Sequence, residues 1–263
     1  RQGIMKYRFF FIFVGVVFLF TGILYFKNCG NAVAVPQAYD FKTHPCWFEA
    51  DYQRDIVCGY LTATVEKGAF KLPVVIIKTE SIEPKSDPLI YLNGGPGVSH
   101  GLTAAGIQRW LSWARLAGLS RDLILMDGRG VGRSQPSLDC KSLQEFNRSL
   151  LETDTPIILE REKNKSIVSS CLNDLAARHP QINPMQFGTK QSAKDVVGLM
   201  QSLNQKYPEY RAYHLLGVSY GTRLALEVDQ ILPENGSYTL KSMVLDSLYP
   251  AGKGGVSSIP QVA

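Results

Sequence analysis

Apolar positions change their period along the segment His214 to Leu232, HLLGVSYGTRLALEVDQIL. Tyr213 to Leu216 form an apolar run of strand type, whereas Leu224, Ala225, Val228, Ile231 and Leu232 recur at helical spacing. A strand therefore gives way to a helix across Gly217-Val218-Ser219-Tyr220-Gly221, and the turn between them is tight. The same reading applies upstream. Gly59 to Val65 and Leu72 to Thr79 are β-branched and apolar, separated by Lys67-Gly68, and predict an opening hairpin that follows a linker from Val35 to Asp40. Pro88 to Leu92 reads as a strand, Ile107, Trp110, Leu111 and Ala114 as a helical face, and Leu123 to Met126 as a second buried strand ending at Asp127. A polar middle from Ser134 to about Gln191 predicts helices, notably Ile157 to Arg178, stopped by Pro180, then Ser192 to Leu203. Ser242 to Leu245 is a last strand, ending at Asp246. Strands alternating with helices predict an α/β fold with a mostly parallel sheet and an antiparallel hairpin at one edge.

The first 34 residues differ from this pattern. Lys6 and Arg8 open a basic stretch, Phe9 to Phe26 carries no charge, and Ala32-Val33-Ala34 offers a small-x-small cleavage site. Residues 1–34 are read as a signal peptide, or as an uncleaved membrane anchor, since the apolar run is just long enough to span a bilayer. The expected location is outside the cytoplasm, periplasmic or secreted, with the membrane touched only through this segment if it is retained. Charge then loses its meaning as a functional clue. The formal charge is +5, but Arg1, Lys6, Arg8 and Lys27 all lie in this segment, and without them 24 basic residues face 23 acidic ones. A nearly neutral domain gives no ground for a nucleic-acid partner.

Five cysteines include Cys29, which lies before the cleavage site, so Cys46, Cys58, Cys140 and Cys171 remain as an even set. In an oxidising compartment two disulfides are expected. The sequence-local pairing, 46 with 58 and 140 with 171, is the one of three connectivities predicted here. No Cys-x-x-Cys or His-x-x-x-His spacing is present, and neither a metal nor a cofactor is expected. The glycines of DGRGVGRS, Asp127 to Ser134, do not make a dinucleotide fingerprint, and no phosphate loop follows. That stretch is read as a structural loop in which Asp127 and Arg129 tie the backbone.

The Gly-x-Ser-x-Gly turn has the form of a nucleophile elbow, in which tiny flanking residues let the backbones crowd and the serine stands clear of the sheet. Ser219 is the candidate nucleophile. Acyl transfer also needs two backbone N–H donors facing the developing oxyanion. Tyr220, the residue after the serine, supplies one. The loop Asn93-Gly94-Gly95-Pro96-Gly97 supplies the other through Gly94, whose freedom lets the N–H turn inward, while Pro96 stiffens the loop.

YLNGGPG, LILMDGRGVGRS and LLGVSYGTRLAL, in this order and spacing, resemble the α/β-hydrolase serine peptidases of the prolyl and tripeptidyl aminopeptidase family. The resemblance runs from about Cys46 to Pro250. Ser-Tyr-Gly-Thr and the two cysteine pairs look more like the exported tripeptidyl branch, and Asn93 departs from the histidine that opens this loop in the prolyl branch. The resemblance implies an α/β-hydrolase fold, Ser219 as nucleophile, Gly94 and Tyr220 as oxyanion donors, and peptides trimmed from their amino termini as substrates. It also implies the chain order serine, acid, histidine. His44, His100, His179 and His214 all precede Ser219, so each is read as a surface or loop histidine, and Asp246 is not the family's acid. Residues 35–263 are accordingly expected to be the N-terminal part of a catalytic domain, without lid, acid or histidine. An esterase or lipase with the same elbow, and a non-catalytic hydrolase-like protein, are the rival readings.

Overall fold

The computed structural model describes residues 38–49, 55–66, 68–180, 182–233 and 236–249. The expected signal or anchor segment and Cys29 lie outside the described residues. Seven strands form one sheet: β1 Tyr39–Thr43, β2 Ile56–Val65, β3 Gly68–Ile77, β4 Lys85–Leu92, β5 Arg121–Met126, β6 Ala212–Val218 and β7 Thr239–Asp246. Their spatial order is β1-β2-β3-β5-β4-β6-β7. β1, β2, β3 and β5 pair antiparallel in that sequence, whereas β5, β4, β6 and β7 run parallel. The helices are α1 Ala104–Leu116, α2 Lys141–Leu150, α3 Ile157–Arg178, α4 Thr189–Lys206 and α5 Tyr220–Ile231, with a 3₁₀ turn at Pro184–Phe187.

The central strands are apolar on both faces because both faces are covered. On β3, Val74 and Ile76 face one side and Val75 and Ile77 the other, all within 1% of full burial. Val74 and Ile76 join Ile90, Ile124 and Leu215 under Val196, Leu199, Leu224 and Val228 of α4 and α5. Val75 and Ile77 join Leu123, Leu125 and Leu89 under Ile107 and Leu111 of α1. Each such side chain contributes about 1.5–3 kcal/mol relative to exposure, so these two layers hold the sheet. Towards β7 the second layer thins. Tyr213, Leu215 and Gly217 on β6 are buried, but the alternate residues His214, Leu216 and Val218 are half-buried, and β7 has no buried residue.

The hairpin, the buried strands and helix 157–178 fall where the apolar pattern predicts them. The expected linker is corrected at its end: Tyr39 and Asp40 already belong to an edge strand, Tyr39–Thr43, that pairs Tyr39 with Ala63. It is held from above, since the Tyr39 hydroxyl donates to Asp195 (3.1 Å) and its ring packs onto Gly198, where any Cβ would overlap it. Cys46 bonds Cys58 and Cys140 bonds Cys171, with Cα separations of 5.1 and 5.9 Å. The second bridge staples α2 to α3. Helix α3 has no buried residue, and Ile157, Ile158, Leu159 and Leu172 are exposed along it.

Candidate active site

Ser219 sits between β6 and α5 with φ 53° and ψ −118°. A non-glycine residue at positive φ is strained, and it persists only where the surroundings impose it. Here three contacts impose it. The Ser219 N–H donates to the Asp246 carbonyl at the end of β7 (2.9 Å), and the Ser219 carbonyl accepts from the Thr222 N–H (3.0 Å) and the Thr222 hydroxyl (2.7 Å). Thr222 is itself fixed, because its oxygen accepts the Tyr249 N–H. The flanking glycines are required by space. A Cβ on Gly221 would overlap the Leu92 carbonyl, and one on Gly217 would overlap the Gly221 carbonyl.

The loop after β4 comes up against this turn. A Cβ on Gly94 would stand 3.4 Å from the Ser219 Cβ and 3.8 Å from its Oγ. The structure thus brings Gly94, Ser219 and Tyr220 together. Tyr220 is the first residue of α5, so its N–H is among the helix-start donors that have no partner within the helix. Gly94 corrects the expectation of a free inward N–H: it donates to the Asn93 side-chain oxygen (2.9 Å). The Asn93 amide nitrogen in turn donates to the Val98 and Ser99 carbonyls (3.3 and 3.1 Å). Asn93 is therefore a clamp that closes its own loop.

The DGRGVGRS stretch carries two buried anchors. Asp127 accepts the His100 N–H (2.7 Å), the Ser99 hydroxyl (3.0 Å) and the His100 ring Nδ1 (3.2 Å), tying the far end of the loop after β4 to β5. Arg129 forks onto both oxygens of Asp195 (2.7 and 2.6 Å) and donates to the Gln186 carbonyl, with its guanidinium 4.5 Å over the Phe70 ring. Burial pushes the Asp195 carboxyl upward, while Arg129 and Tyr39 pull it down; burial and Asp195 together push the Tyr39 hydroxyl up. The Tyr39–Asp195 half of this cluster escaped sequence reasoning. The one available signal was a lone acidic residue on the apolar face of α4, between Ala193 and Val196.

The histidines divide. His44 is exposed and His179 ends α3. His100 is a loop residue but not a surface one: it is buried, with Nδ1 facing Asp127 and Nε2 facing the Tyr91 carbonyl (3.2 Å). His214 lies on β6, with Nδ1 2.6 Å from the Ser242 hydroxyl. Among the described residues no histidine or carboxylate side chain hydrogen-bonds the Ser219 hydroxyl. The Asp246 carboxylate is exposed and accepts from Ser247. Among the described residues no group of three His, Cys, Asp or Glu side chains is placed to hold a metal ion, and no helix is long and apolar enough to cross a membrane.

A mostly parallel sheet in this strand order, with helices on both faces and a strained serine turn after a central strand, is the α/β-hydrolase fold. No family model matches the sequence. Over 220 residues the chain is 24% identical to YuaR of Escherichia coli (strain K12), which carries a hydrolase designation; the match covers 77% of this chain and 38% of that protein. Two solved structures similar to it are a cold-adapted esterase from an Arctic intertidal metagenomic library and a thermostable carboxyl esterase from Bacillus coagulans. The first is 12% identical, with 73% of this chain and 63% of that one covered and a TM-score of 0.38. The second is 12% identical, with 79% and 44% covered and a TM-score of 0.38. The chain spans well under half the length of the curated relative it matches.

Proposed function

We propose that Ser219 is the nucleophile of a serine acyl hydrolase. The observation that carries this reading is the strained turn itself, which holds Ser219 at φ 53° beside Gly94 and at the start of α5. Strain of this kind, over-determined by its neighbours, is what a fixed nucleophile requires. In the reaction the Ser219 oxygen attacks an acyl carbonyl, the hydroxyl proton passes to a base, and the carbonyl oxygen takes up the negative charge. The Tyr220 N–H faces that charge directly. The Gly94 N–H joins it when the oxyanion displaces the Asn93 side-chain oxygen, so Asn93 holds the donor in place until substrate arrives. Water then cleaves the acyl-enzyme.

The motifs favour the amino termini of peptides as substrates, in an exported protein whose base and acid follow Ser219 in chain order; no histidine follows Ser219 within the 263 residues. One observation favours esters as a second reading. An amino-terminal substrate carries an ammonium group that needs a carboxylate, and the buried carboxylates nearest the loop, Asp127 and Asp195, are already engaged by His100 and by Arg129. The test is labelling by a serine-reactive fluorophosphonate, together with chromophore release from aminoacyl anilides, tripeptidyl anilides and nitrophenyl esters, on the chain and on the full product of its gene. Ser219→Ala should abolish labelling and release. Turnover that survives Ser219→Ala removes Ser219 from the mechanism, and the preferred leaving group decides between peptide and ester.

A further inference from the structure

Away from the serine turn, an open groove of about 510 Å³ lies between β3 and the end of α3. One wall is the short stretch 135–137, which is pinned twice. Gln135 exchanges both backbone hydrogen bonds with Lys71 (2.9 Å each), past the point where β5 stops pairing with β3, and Ser137 bridges to Gly130. Lys71 reaches the groove from β3, and Arg178 and His179 reach it from the end of α3. Among the described residues the side chains of these three make no hydrogen bond or ion pair, and no aspartate or glutamate lines the groove. A cleft lined by one sign of charge focuses the field and draws in counter-ions.

We propose that this groove binds a phosphate group carried on a small organic body. The donor set matches that group. Arg178 offers a planar fork and Lys71 a point charge, the two ways in which side chains take up phosphate. Neutral donors stand beside them: the Gln135 amide, a His179 ring N–H, and the Ser137 hydroxyl, whose oxygen accepts the Asp139 N–H and leaves its proton to donate. The volume falls within the range of about 300–1,000 Å³ common to small-molecule sites and exceeds what a bare ion fills, and Ala69 and Pro136 give the remainder apolar surface. The helix dipole favours cations at the carbonyl end of α3 and so accounts for Arg178 by itself. It does not account for Lys71, which arrives from a strand. A free phosphorylated compound and a phospholipid headgroup present the same chemistry here, and neither depends on the role of Ser219.

The test titrates three ligands into the chain with backbone amide resonances as the readout. They are phenyl phosphate, mostly dianionic at about pH 7.5, dihexanoyl phosphatidylglycerol below its micellar concentration, and phenylacetate, a carboxylate of similar size to the first. At least one of the two phosphates should bind saturably, shift the amides of Lys71, Gln135, Ser137 and His179, and bind at least tenfold more tightly than phenylacetate. Lys71→Gln and Arg178→Gln should each weaken that binding at least tenfold, Lys71→Arg should retain it, and Lys165→Gln, elsewhere on α3, should leave it unchanged. Lys71 and Arg178 are exposed, the amide spectrum checks the fold of each variant, and the ranking of ligands on the wild-type chain needs no variant. Absence of saturable binding by both phosphates, equal binding of phenylacetate, full binding by both glutamine variants, or an equal loss in Lys165→Gln overturns the proposal. Tighter binding of phenyl phosphate upholds it with a free phosphorylated compound as the source, and tighter binding of the phosphatidylglycerol upholds it with a lipid headgroup.

Discussion

The carbonyl oxygen of Leu92, at the end of β4, occupies the space in which a side chain on Gly221 would begin. β4 and α5 therefore approach as closely as backbones allow, and this approach carries the loop after β4 to Ser219. Gly94, by contrast, faces Ser219 at ordinary contact distance. Gly221→Ala should destabilise the fold by about 3 kcal/mol or more, as overpacking against unyielding backbone does, whereas Gly94→Ala should cost less than about 1 kcal/mol. Thermal melts of the two variants check this, and a Gly221→Ala protein that melts with wild type would show that the elbow is not held by this contact.

Arg129 and Asp195 form an ion pair whose side chains are each 2% exposed. Removing one partner strands the other charge. Arg129→Met should cost about 3–5 kcal/mol, while the double variant Arg129→Met with Asp195→Leu should recover part of that loss. Urea denaturation of the two single variants and the double variant gives the coupling energy directly; additive losses would mean that the two side chains act independently.

The Cys140–Cys171 bridge closes a separation of 31 residues around a helix pair with little buried surface of its own. The chain-entropy account gives such a closure about 4 kcal/mol. Replacing both cysteines by serine should open α2 and α3 to limited proteolysis while the sheet keeps its melting transition. Loss of the whole fold in that variant would show that the hairpin is integral to the core.

Burial pulls the His214 imidazole below its ordinary value of 6.5, aided by Arg121 and Lys241 and opposed by Asp87. The unfolded chain therefore binds this proton more readily than the folded one. Stability is unaffected by His214 well above pH 6.5 and falls as the pH drops from there towards the depressed folded value. His214→Gln should flatten the stability profile across that window, measured by chemical denaturation at a series of pH values. An unchanged slope would place the acid sensitivity of that window elsewhere.

The parts legible in the sequence are those where one local pattern has one physical meaning. The switch of period across Ser219 located the elbow, and Val74 to Ile77 and Leu123 to Met126 announced strands covered on both faces. Tyr39 to Thr43 did not read as a strand because its alternation is short and polar outside, and only Phe41 is buried there. Its stability comes from Asp195 and Gly198, more than 150 positions away, which no local window contains. Asn93 is the same case at closer range: its side chain reads as an ordinary loop amide until three backbone partners are seen around it.

The strand order has a consequence for time rather than space. β2 and β3 are neighbours both in sequence and in the sheet, but β4 finds its two flanks at β5 and at β6, which begins only at Ala212. Closing that long separation costs the most chain entropy, so the pairing of Leu92 with Gly217 should form after the hairpin and after β4–β5. Ser219 follows directly on β6 and takes its final conformation only then. Pulse-labelling hydrogen exchange during refolding would show amides of β3 protected before those of β6, and simultaneous protection would refute the order. On this account the turn at Ser219 is the last stretch of the central sheet to mature.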